Sequence, residues 1–148
     1  NMGAGTISPH LAHGVHKVNV EVVRGDDVLP ADTVFNVMKF DVEGFEPDAA
    51  EGLKGAIERS PHAAIVLEVW APAWREIGDL ADLLARFTLG SKLAFEIGHD
   101  GFLQRLRLDD PQAMDALRDR SDPFYMLLVP EDHWAIDFIS SKLRRAIK

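Results

Sequence analysis

Two kinds of apolar repeat alternate along this chain. The stretches "VFNVMKF" at 34–40 and "AAIVLEVW" at 63–70 are apolar at most positions, which predicts strands buried on both faces of a mainly parallel sheet. Between them Ala49, Ala50, Leu53, Ala56 and Ile57 recur at three- and four-residue steps. Glu46 and Pro47 stand at the head of that stripe as an acid and a first-turn proline, and Pro61 closes it, so a helix of about three to four turns is predicted. Gly52 and Gly55 weaken such a helix by roughly 1 kcal/mol each relative to Ala, a cost expected where the backbone lies close to a sheet. Strand, helix and strand in this order make a βαβ unit with a right-handed crossover.

The flanking patterns are more varied. Residues 1–16 lack a sustained period and predict an irregular lead-in, while "KVNVEVV" at 17–23 alternates as a half-buried strand does. The stripe of Ile77, Leu80, Leu84 and Phe87 predicts a helix over 74–87. A strand at 92–97, the turn "GHDG" and an antiparallel partner at 102–108 follow. The remainder predicts a short helix at Pro111–Arg118, a strand at 124–129 and an amphipathic helix from about Asp132. That last segment ends in "KLRRAIK", where positive charge opposes the negative end of the helix dipole. The whole is one α/β domain over residues 1–148, parallel strands first and antiparallel strands last.

Composition narrows the function. With 47% apolar and 27% charged residues in 148, the chain is long enough to bury a real core. The net charge of −8 argues against a nucleic-acid surface. There is no cysteine, which removes disulfides and thiolate chemistry. No apolar run reaches the length of a membrane span and no signal peptide is visible, so the expected location is cytoplasmic, without membrane contact. Asn1 precedes Met2, so the chain either keeps a residue from an expression tag or begins inside a longer protein.

Candidate chemistry gathers at strand ends. Asp41 and Glu43 follow the first buried strand and Glu68 ends the second, and in α/β sheets ligands bind outside the carboxyl ends of the strands. Such acids hold hydroxyls, orient cations or accept protons; the alternative for Glu43, and above all for Glu46, is capping of the helix that starts there. His10, His13 and His16 read as a loop rather than a metal site, and no metal is expected. Trp70, Trp74 and Trp134 read as packing residues, with an aromatic wall for an acceptor as the minority reading.

The stretch "MKFDVEGFEPDAAEGL" followed by "AAIVLEV" resembles the FkbM family of S-adenosylmethionine-dependent methyltransferases. That family has a strand running into Asp-x-Glu-Gly-x-Glu, a helix, and a next strand ending in Leu-Glu. "VEVVRGDDVL" at 20–29 and "FYMLLVPED" at 124–132 are similar to the flanking family segments. The resemblance implies a class I methyltransferase-like, Rossmann-like three-layer sandwich of seven strands with a final antiparallel one. Only its C-terminal portion is present, so the N-terminal strands are lacking. It also implies methyl transfer to oxygen on a small-molecule or glycan acceptor, with S-adenosylmethionine as cofactor. In that reading Asp41 and Glu43 are catalytic, Asp41 and Gly44 lie against the cofactor, and Glu68, Trp70 and Asp26 bind the acceptor. "GAG" at Gly3–Gly5 is a weak counterpart of the family's donor loop. The rival expectation is a non-catalytic α/β module that self-associates as a homo-oligomer or pairs with a partner chain.

Overall fold

The computed structural model describes residues 19–88 and 92–143. Its centre is a five-stranded mixed sheet in the order β1-β2-β5-β3-β4. The strands are β1 (Val37–Phe40), β2 (Ala64–Val69), β3 (Lys92–Ile97), β4 (Leu103–Leu106) and β5 (Phe124–Pro130). β1 and β2 run parallel, β5 lies antiparallel between β2 and β3, and β4 is antiparallel to β3. The chain is therefore an α/β fold with a mixed sheet, as its alternating patterns predict.

Strand alternation and register sort the side chains onto two faces. Met38, Phe40, Ile65, Leu67, Val69, Met126 and Leu128 point to one, where they form the main core with helical residues. Those helices are α2 (Glu46–Gly52), α3 (Lys54–Arg59), α4 (Ala71–Arg75), α5 (Leu80–Ala85) and α6 (Pro111–Arg118). On the other face Phe95, Leu103 and Val129 pack under α7 (Ile136–Ser141) through Ile139. The same face of β1 and β2 carries Val37 and Lys39, both exposed, then Glu68, half-buried. So β1 is not buried on both faces as its apolar run predicts: its burial alternates, because it is the edge strand and, among the described residues, only one of its faces meets helices.

Other departures have local causes. The helix expected from residue 46 is two, α2 and α3, broken at Leu53 with φ −115°. The close approach at Gly52 and Gly55 is to the segment around α1 (Gly25–Val28) rather than to the sheet, and a Cβ on Gly55 would crowd the Asp26 carboxylate. Gly25, at the start of α1, abuts Leu53, whose side chain would overlap a Cβ there, and Gly52 lies against the backbone of Arg24 and Gly25. The helix expected over 74–87 is also two: α4 stops after Arg75, and Asp79 caps α5 by accepting the Ala81 N–H at 2.8 Å. Residues 19–24 are not a strand but exposed coil, with Val20 and Val22 more than half exposed. A lone alternating segment with no neighbour to pair with has no ladder to hold it. The lead-in at 1–16, Gly3–Gly5, the three histidines and the basic tail beyond Leu143 lie outside the described residues.

Candidate functional site

The polar end of the open face is built by register. β1 and β2 pair up to Phe40 with Leu67, which brings the next residue of each chain, Asp41 and Glu68, side by side. Across β2, Glu68 pairs directly with Tyr125 of β5. One carboxylate oxygen of Asp41, Oδ2, accepts from the Lys39 ammonium and from the Tyr125 hydroxyl, the latter at 3.1 Å. Lys39 Nζ also lies 5.7 Å from the centre of the Tyr125 ring. Three neighbouring strands thus contribute one cation, one phenol and two acids to a single patch.

The two acids are driven in opposite directions. The Lys39 hydrogen bond, helped by that from Tyr125, holds the Asp41 carboxyl below its usual range, against a partial desolvation cost. Glu68 is pushed up to about 7, chiefly by burial and then by the charges of Asp41, Glu43 and Glu46. No hydrogen-bond donor among the described residues answers the Glu68 carboxylate. Glu96, near the end of β3, makes a useful contrast. Arg120 grips both its oxygens at 2.9 and 3.0 Å while its guanidinium lies 4.1 Å from the Phe124 ring centre. An acid so neutralised is structural; Glu68, among acids, is free to exchange a proton near neutrality.

The loop after Asp41 has unusual backbone geometry. Glu43 has φ 54° and Gly44 φ 92°, and Glu43 is the one non-glycine among the described residues with positive φ. Such a conformation costs an L residue about 1–2 kcal/mol and is usually held by its surroundings. Here Glu46 holds it. This fully buried side chain accepts the Val42 and Gly44 N–H groups on Oε1 at 2.9 and 3.2 Å, and the Trp74 indole N–H on Oε2 at 3.1 Å. The capping expected of Glu46 is realised on the loop before the helix, not on the amides of the helix itself.

Several sequence expectations fall elsewhere. Asp26 is not beside Asp41: its carboxylate accepts the Gly55 and Ala56 N–H groups at 2.6 and 2.8 Å, capping α3 from a distance, with Arg59 at 3.7 Å. The contacts that the structure gives Asp26 are thus those of a helix cap. Trp70, at the end of β2, is half-buried and donates from its indole to the Ser121 carbonyl at 3.2 Å. Trp74 stacks on Phe87 in the core, with centroids 6.0 Å apart, and Trp134 is 87% exposed, so the three tryptophans build no common wall.

Lys39 and Tyr125 are the members that sequence reasoning missed, and Glu46 was read only as a cap of its own helix. Lys39 had a signal, a lone cation in an apolar strand two residues before an acid and so on the same face. Tyr125, the chain's single tyrosine, had none, because its pairing with Glu68 depends on which strand lies beside β2.

Chemically the patch suits neutral hydroxyls and cationic groups. Among the described residues no group of three or more His, Asp or Glu side chains is placed to hold a metal ion. No helix among them is long and apolar enough to cross a membrane. Comparison of the chain with protein-family models, curated proteins and solved structures returns no match.

Proposed function

We propose that the chain is the C-terminal, acceptor-side portion of an FkbM-like methyltransferase, transferring a methyl group to a hydroxyl of a small molecule or glycan. The observation that carries the reading is the ionised Asp41 next to a proton-exchanging Glu68 at the tips of parallel strands. The reversed last strand, β5, agrees with the antiparallel closing strand the resemblance implies. S-adenosylmethionine, when bound, supplies an electrophilic methyl. Its sulfonium, ammonium and ribose hydroxyls are chemically complementary to the carboxylates of Asp41, Glu43 and Glu68.

In this reading Asp41 orients the acceptor hydroxyl through its free oxygen, since Oδ2 is already engaged by Lys39 and Tyr125. Glu68 is better placed to receive the proton, because its affinity for one lies near the operating pH.

Calorimetric titration of the chain with S-adenosylhomocysteine tests the reading. Saturable binding supports it for this polypeptide. Silence from a folded sample, together with no methylation of hydroxyl acceptors, removes it. The second reading, a module that pairs with a copy or a partner, draws on β1 being an edge strand with Val37 61% exposed. Light scattering that finds a monomer at all concentrations counts against that one.

A further inference from the structure

We infer that Glu46 is a positioning residue of this strand-tip site, fixing the Val42–Gly44 backbone, and with it Asp41 and Glu43, against α4 and the end of β2. The inference deepens the reading above and depends on it only for the reaction the site serves.

The argument is geometric. Val42 and Gly44 flank the strained Glu43, and their two amides converge on one oxygen of one buried carboxylate. A left-handed glutamate persists where its surroundings hold it, and these two bonds fix the residues on either side of it. The other oxygen binds Trp74, whose ring is immobilised by its stack on Phe87, itself edge-on to Phe40 of β1 at 5.1 Å. The clamp is therefore tied to the core and not to another loop. Trp74 belongs to α4, which begins directly after Trp70 and the strand that bears Glu68. A single side chain thus links the loop after β1 to the helix after β2, the two segments whose spacing sets how Asp41 and Glu43 face Glu68.

That link has an electrostatic counterpart. Glu68 is faced by Lys39 and Asp41 from β1, Glu43 from the loop, Glu46 from α2 and Tyr125 from β5. The acids raise its proton affinity and Lys39 opposes them, so any shift of the loop is read out by Glu68.

The test is a pH titration of glutamate side-chain carboxyls by carbon NMR on the whole chain, with Glu68→Gln identifying the resonance. In Glu46→Gln the amide oxygen still accepts from Val42 and Gly44, but its NH2 group cannot accept from Trp74. Loss of the Glu46 charge by itself lowers the Glu68 midpoint, so the positioning role is read from shifted amide resonances at Val42 and Gly44 that accompany it. Trp74→Phe keeps the Glu46 carboxylate and removes its link to α4 while also leaving a space in the core; it should move the same loop amides and disturb the Glu68 midpoint.

A folded Glu46→Gln with the loop amides unchanged overturns the inference, whatever the Glu68 midpoint does. Should Glu46→Gln not fold, Trp74→Phe decides by the same criteria. Failure of the methyl-transfer reading is separately visible: no binding of S-adenosylhomocysteine and no methylation of hydroxyl acceptors, while Glu68 still responds to Glu46, discard the reaction and keep the positioning role.

Discussion

The two faces of the sheet are made by the same strands and do different work. On the face under α2–α6, neighbouring strands present Phe40, Leu67 and Met126, all buried, and helical side chains such as Trp74 and Leu83 close over them. One residue along, the same strands and the loop after β1 present Lys39, Asp41, Glu68 and Tyr125 on the opposite face, where among the described residues α7 packs over Phe95, Leu103, Val129 and Ala64. The strand period of two lets stability and chemistry sit a single residue apart without sharing side chains. A substitution on one face should therefore change the free energy of unfolding, and on the other chiefly the ionisation of the cluster.

The largest expected effect tests that division directly. Leu67→Ala, at a fully buried position of the closed face, should cost about 2–5 kcal/mol in urea unfolding. Val37→Ala, 61% exposed on the open face, should stay within about 0.5 kcal/mol. Equal losses would mean that the open face is covered and that the comparison is misdrawn. Next in size is Asp26→Ala, which removes the carboxylate that caps α3; about 1–2 kcal/mol should be lost, with no change in the titration of Glu68. A shift of that titration would restore Asp26 to the site.

What was legible in the sequence follows the same line between local and long-range information. The strands at 64–69, 92–97 and 124–130 and the helix at Pro111–Arg118 were readable because their patterns and caps are local. The breaks at Leu53 and after Arg75 were not, since the first depends on α1 lying across α2 and α3. The half-open β1 was misread because "VFNVMKF" records apolar residues, not whether a neighbour exists to bury each face. The site divides likewise. Asp41 and Glu68 announce themselves as acids at the ends of strands, whereas Tyr125 reaches Asp41 across 84 residues of chain, and only the insertion of β5 beside β2 brings it there.

The cluster also predicts a pH signature. Folding raises the Glu68 proton affinity from the ordinary 4.5 to about 7, so between those values the folded chain binds a proton that the unfolded chain releases. This contribution to stability is complete below about 4.5 and is lost as pH rises through about 7. Asp41, with its pKa lowered, acts in reverse: its contribution is present above the ordinary 3.8 and is lost as pH falls below it. Because both side chains keep partial contact with solvent, the slopes will be shallow. Unfolding curves across this range should show wild type weakening relative to Glu68→Gln as pH rises from about 5 to about 8. A parallel pair of profiles would mean that Glu68 is no more desolvated than an ordinary surface acid.

The smallest effect concerns the loop itself. Gly44→Ala places a Cβ at φ 92° and should destabilise by about 1 kcal/mol. Glu43→Gly relieves the strain of φ 54° but also frees the unfolded chain, and these terms nearly cancel. The net change should therefore lie within about 0.5 kcal/mol, well below that of Gly44→Ala. The informative comparison is with the cluster. Removing the Glu43 charge takes away one of the acids that raise Glu68, so Glu43→Gly should lower the Glu68 midpoint even where stability hardly moves. If stability falls by several kcal/mol instead, Glu43 belongs to the architecture that Glu46 clamps; if the midpoint alone moves, the open face holds chemistry that the closed face does not need.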